Sequence, residues 1–93
     1  MITAIVLVDT AVDQIPEAAE AIAGIPEVSE VYSVTGDTDL VAMVRVGEHE
    51  ALADVIADRI SKVPGVRATR SYISFRTYSR HDLDAAFSLG LGD

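Results

Sequence analysis

The chain has 93 residues, 49% of them hydrophobic, with no cysteine and a formal net charge of −8. That length makes one small domain, the missing cysteines exclude disulfide staples and thiolate metal sites, and the acidic balance argues against direct binding to a nucleic-acid backbone. The apolar start lacks a positive leader and falls short of a membrane span of about 18 residues, so neither a signal peptide nor a transmembrane helix is expected, and the expected compartment is the cytoplasm. An acidic composition rich in Ala, Val and Asp fits a high-GC or halotolerant bacterium.

Residues 2–8 are β-branched and apolar at both parities and predict a strand. Residues 9–12 turn the chain. Asp13 is placed to cap a helix whose first turns tolerate Pro16 and favour Glu17 and Glu20. Ile15, Ala18, Ala19 and Ile22 share one face of it, Gly24 ends it, and Ile25-Pro26-Glu27 leads into a second strand over residues 28–34. The polar turn Thr35-Gly36-Asp37-Thr38-Asp39 precedes a third strand over residues 40–46. Gly47 and Glu48 open a second helix that runs to about Lys62, with Leu52, Val55, Ile56 and Ile60 inward and Glu48, Glu50, Asp54 and Asp58 toward water. Val63-Pro64-Gly65 stops it before a fourth strand from Val66 to about Arg76. This gives a domain over residues 1–78 and a tail over 79–93. In the tail Ser79 is placed to cap a short helix at a subunit contact, with Asp82 at its third position and Leu83 and Phe87 four apart.

The two halves match at a constant offset of 38 residues: Ile2 falls on Leu40, Val8 on Val46, Ile22 on Ile60, and Ile25-Pro26-Glu27-Val28 on Val63-Pro64-Gly65-Val66. A duplicated split β-α-β unit is the ferredoxin-like, ACT-like α+β plan βαββαβ, an antiparallel sheet of order 4-1-3-2 with two helices on one face. In that order strands one and three are central. Both are apolar at both parities, Ile5 and Leu7 against Val6 and Val8, and Val41 and Met43 against Ala42 and Val44. Helices cover one face only, and a sheet with its other face in water alternates cleanly. A homodimer through the open face is therefore expected, the competing reading being a thickened monomeric core with the tail folded across it.

The stretch Val31-Tyr32-Ser33-Val34-Thr35-Gly36-Asp37-Thr38-Asp39-Leu40 is similar to the V-T-G-x-x-D-hydrophobic signature of the Lrp/AsnC (feast/famine) transcription regulators, in their effector-binding domain. Val63-Pro64-Gly65-Val66 followed by Thr69 and Ser71 resembles that domain's fourth strand, and the likeness runs over residues 2–76. Thr38 stands where the family often has an aromatic residue. The first strand begins at Ile2, so the chain looks like the stand-alone form of the domain, without the helix-turn-helix. The resemblance implies a non-enzymatic module that dimerises through its sheets, assembles dimers into larger rings, and binds an amino acid or related metabolite between dimers. It also implies a role as sensor or as partner of a full-length Lrp/AsnC regulator.

An amino-acid effector presents an ammonium and a carboxylate. Gly36 permits positive φ and close backbone approach, so neighbouring N–H groups can face a carboxylate. Asp37 or Asp39 supplies an acceptor for the ammonium, and Thr35, Thr38, Thr69 and Ser71 supply orienting hydroxyls. The competing reading is that Gly, Asp and Thr do here only what any tight turn needs, with Asp39 bonding turn N–H groups. His49 and His81 read as surface residues, and no metal centre or cofactor is expected from them. Arg67, Arg70 and Arg76 read as a solvated face or as partners for acids of a neighbouring subunit, and Tyr72 and Phe75 as packing residues. No nucleophile elbow and no phosphate loop is present. Two further readings share the fold: a dimeric αβ-barrel enzyme of monooxygenase or isomerase type, and an oligomeric scaffold that binds no ligand.

Overall fold

The computed structural model describes residues 1–80. Strand β1 (Ile2–Thr10) leads through a single 3-10 turn (Val12–Gln14) into helix α1 (Ile15–Ala23), then strands β2 (Val28–Ser33) and β3 (Leu40–Val46). Helix α2 (His49–Ala53) passes without a break into a π-helical stretch (Asp54–Ile60), and strand β4 (Val66–Ile73) closes the sheet. The strands pair antiparallel in the order β2-β3-β1-β4, the ferredoxin-like arrangement.

Strand register sorts the side chains onto two faces. Ala4, Val6 and Val8 of β1 stand opposite Val44, Ala42 and Leu40 of β3, and all six are fully buried. They form the core with Ala18 and Ile22 of α1 and with Leu52, Val55 and Ile60 from the second helix. Each large aliphatic side chain withdrawn from water here stabilises the fold by about 1.5–3 kcal/mol. The expected helix faces are therefore in place, and Glu48, Glu50, Asp54 and Asp58 are exposed.

The π-helical stretch has a packing cause. Residues five apart on an α-helix sit about 140° from one another, which would put Val55 and Ile60 at opposite edges of the apolar stripe. Widening the turn brings them together, and both are at most 1% exposed. The Ser61 N–H donates to the Ile56 carbonyl at 3.0 Å, a bond five residues back, and the Ser61 hydroxyl donates to the same oxygen at 2.8 Å.

Several boundaries differ from the sequence expectation. Asp13 does not cap α1; it lies in the 3-10 turn, and Gln14 occupies the cap position without a side-chain bond. Strand β1 runs on through Asp9 and Thr10, because a register shift between them lets Thr10 pair with Val66. Strand β4 ends at Ile73 rather than near Arg76, after which only the Ser74 N–H still donates to Thr3, at 2.9 Å. Phe75, expected to pack, is fully exposed, and Tyr72 is more than half exposed. Arg70 lies 3.9 Å from Asp9 of its own chain, so this ion pair is internal. The tail helix expected around Leu83 and Phe87, with His81 and Asp82, lies outside the described residues.

The other sheet face carries Ile5 and Leu7 opposite Met43 and Val41, with Tyr32 and Tyr72 on the flanking strands. No helix covers it. Tyr32 is 47% and Tyr72 56% exposed. Glu30, Arg45, Asp9 and Arg70 ring this apolar centre.

Candidate functional site

The polar turn between β2 and β3 docks against the C-terminal end of β1. The Asp39 N–H donates to the Val8 carbonyl at 3.2 Å, and the Thr38 hydroxyl donates to the same oxygen at 3.2 Å. Thr38 is 9% exposed, so this bond is what allows its hydroxyl to be buried. Asp39 Oδ2 accepts the Thr10 N–H at 2.9 Å and lies 3.5 Å from the Thr10 hydroxyl. Val34 donates to the Asp39 carbonyl at 3.1 Å, closing the turn. Gly36 has φ of +117°, a region L side chains rarely adopt, and nothing stands within 4 Å of where its Cβ would be.

Two of the proposed ligand residues thus hold the loop. Thr38 and Asp39 direct their side chains into β1, whereas Thr35, Gly36 and Asp37 form an exposed tip. Among the described residues the Asp37 carboxylate has no hydrogen-bond or ion-pair partner. Thr69 pairs with Val8 across the β1–β4 ladder, so it flanks the residue that anchors Thr38 and Asp39 from the other side. Ser71 pairs with Val6, one same-face step along β4, and is exposed. The fold therefore brings Thr38, Asp39 and Thr69 around the end of one strand, sets Asp37 beyond them, and leaves Ser71 at the margin.

The sequence reading missed Thr10 and Val8 as the anchors of the loop. Thr10 is the one other buried polar residue among the described ones, at 7% exposure. A threonine at the strand end was the signal, since its hydroxyl, like its backbone N–H, can face a carboxylate. Asp9 adds local negative charge. Its Oδ1 is buried without a hydrogen bond, and at 3.9 Å Arg70 is an electrostatic neighbour rather than a donor. On the open face Tyr32 donates to Glu30, and this bond, with lesser help from desolvation and the carboxylate charge, raises the Tyr32 phenol above its usual 10.0.

Chemically, the loop end offers an unengaged carboxylate, a glycine with no side chain to block approach to the backbone, and hydroxyls on a neighbouring strand. That set suits a cationic amine better than an anion. No group of three or more His, Asp or Glu side chains among the described residues is arranged to hold a metal ion. No described helix is long and apolar enough to cross a membrane.

Comparison with known proteins gives the chain its relatives. Residues 3–83 match the family model of the Lrp/AsnC ligand binding domain. The chain is 36% identical over 75 residues to the HTH-type transcriptional regulator FL11 of Pyrococcus horikoshii, covering 81% of this chain and 49% of that protein. Among solved structures, TTHA0845 from Thermus thermophilus is 46% identical with a TM-score of 0.81, over 86% of this chain and 100% of that one. The feast or famine regulatory protein Rv3291c from M. tuberculosis, complexed with L-methionine, is 35% identical with a TM-score of 0.72, over 86% of this chain and 54% of that one. The chain spans about half the length of the curated relatives it matches. Those relatives are archaeal, so the bacterial source expected from composition finds no support in them.

Proposed function

The chain belongs to the Lrp/AsnC ligand-binding domain family, and from that premise we propose that it is a non-enzymatic module that binds an amino acid or a closely related metabolite. The single observation that carries this reading is the Asp37 carboxylate, which stands unengaged at the tip of a loop whose other acid, Asp39, is already bonded to β1. In this reading Asp37 receives the ligand ammonium, backbone N–H groups around Gly36 meet its carboxylate, and Thr35 and Thr69 orient it. Thr38 and Asp39 act by holding the loop, and Ser71 lies at the margin of the site. The feast or famine regulatory protein Rv3291c, similar to this chain, has been solved with L-methionine, which supports the ligand class.

A second copy completes the site. The open sheet face, with Ile5, Leu7, Val41 and Met43 at its centre, suits a sheet-on-sheet homodimer, and the ligand would then act on assembly of dimers into larger oligomers. Regulation of transcription would follow through a partner such as a full-length Lrp/AsnC regulator, since an acidic chain is poorly suited to DNA itself. The enzyme reading has little to work with: Thr10 and Thr38 are the only buried polar side chains among the described residues, and both are committed to the loop.

A thermal-shift panel of the twenty amino acids tests the proposal. A ligand at about a hundredfold excess over its Kd adds about 2.7 kcal/mol to the folded state. A rise with one or a few amino acids is expected. No rise with any, at an unchanged oligomer, would leave the scaffold reading in its place.

A further inference from the structure

A groove of about 340 Å³ lies between the second helix and the free edge of the sheet, lined by His49, Leu52, Ala53, Ile56, Ala57 and Ile73. Apart from His49 its walls are aliphatic. The groove opens at the end of the molecule where β4 finishes. There the chain continues as an arm, residues 74–80, that presents Phe75 at 102% and Tyr78 at 82% exposure. Phe75 stands two residues beyond Ile73, the β4 residue that lines the groove. Its own groove is nevertheless not where it lies.

Charge runs the same way as shape. The arm is Ser-Phe-Arg-Thr-Tyr-Ser-Arg, with two cations and no acid. The helix beside the groove exposes Glu48, Glu50 and Asp54. In a chain of net charge −8, a basic segment of one copy meeting an acidic surface of another offsets the repulsion between them. The arm and the helix supply those two surfaces on every copy. The contact can therefore be mutual across a two-fold axis, each copy giving an arm and receiving one.

We propose that the groove is the docking site for the arm of a second copy of this chain, with Phe75 inserted among Leu52, Ala53, Ile56 and Ala57, and with Arg76 and Arg80 against Glu48, Glu50 and Asp54. A phenylalanine removes about 150–250 Å² from water when it is buried, and here it does so twice per contact. This contact lies on a different surface from the sheet face. It rests on the proposed function only in that a second copy is the partner, and it offers a way to join dimers into a larger assembly.

The test uses the absence of native cysteines. Ala53→Cys and Phe75→Cys chains, one of them tagged, are mixed under mild oxidation, so that a disulfide between positions 53 and 75 forms only between chains. That mixed disulfide should dominate on a non-reducing gel and in peptide mapping. Separately, Ala53→Trp fills the groove and Phe75→Ala removes the plug. Each should lower the association constant of its own assembly at least tenfold in sedimentation, and mixing the two should recover association through the one intact arm and groove. A random mixture of homodisulfides, or none, together with unaltered assembly of both variants, overturns the proposal. Adding Met43→Asp to the cysteine pair separates the two contacts: it should dissolve the sheet dimer and leave the 53–75 disulfide. Loss of the disulfide in the parent pair while Met43→Asp still splits a dimer would sink the groove contact alone.

Discussion

Asp39 Oδ2 accepts the backbone N–H of Thr10 at 2.9 Å, joining two residues 29 apart in sequence. The bond fixes the loop before β3 to the end of β1, and it sets the two acids of the loop apart: Asp39 holds the loop, and Asp37 has no partner among the described residues.

The first prediction follows from that division. Asp39→Ala leaves the partly buried Thr10 N–H without its acceptor, which costs about 1–3 kcal/mol. In a domain of this size each kcal/mol lowers the melting temperature by about 4–8 °C. Asp37→Ala, at an exposed tip, should stay within about 0.5 kcal/mol of the parent. Urea unfolding of both variants measures the contrast, and equal losses would mean that the two carboxylates do not differ in role.

Glycine positions give a second contrast. Gly36 and Gly65 both have positive φ, +117° and +94°, but only at Gly65 would a Cβ meet another atom, the Gln14 Cβ at 2.6 Å. Gly36→Ala should cost about 1 kcal/mol from backbone strain. Gly65→Ala adds a displacement of the 3-10 turn and should cost clearly more. Thermal denaturation ranks them, and the reverse order would contradict the packing described at Gln14.

Met43 sits opposite Ile5 on the face that no described helix covers. Met43→Asp places a charge in that apolar centre and should convert a dimer to monomers in sedimentation, with far-UV circular dichroism unchanged. An intact dimer would assign the subunit contact to another surface.

Tyr32 provides a pH signature. Its hydrogen bond to Glu30 favours the neutral phenol and raises its pKa from 10.0. The folded group holds its proton above the pH at which the unfolded one loses it. The stabilisation it brings is thus complete below pH 10 and is lost as the pH rises through the raised value. Glu30→Ala should move the Tyr32 ultraviolet titration back toward 10. An unchanged midpoint would show that the bond does not form in solution.

How far these features could be read from sequence depends on the interaction that fixes each. Strand β3 begins and ends at Leu40 and Val46 as its apolar run indicates, because its two neighbours and the core all enforce one register. β4 ends short of Arg76 because it has a single partner: beyond Ile73 only the Ser74 N–H still reaches β1, and Phe75 stands in water. The π-helical stretch left no periodic signal, since Val55 and Ile60 fit an α-helical stripe with their neighbours almost as well. At the site, a Gly-Asp-Thr-Asp turn announced itself, but composition alone could not say which aspartate turns inward. That is settled by Thr10, twenty-nine residues away.

Binding isotherms of the parent and of Asp37→Asn with the amino acid that gives the largest thermal shift test the central claim most directly. The substitution removes the charge that would receive the ammonium while keeping the size of the side chain and the Asp39–Thr10 bond. Affinity should fall at least tenfold, by about 1.4 kcal/mol, with the melting temperature of the free protein unchanged. An Asp37→Asn chain that binds as tightly as its parent would contradict the claim that this loop holds the ligand.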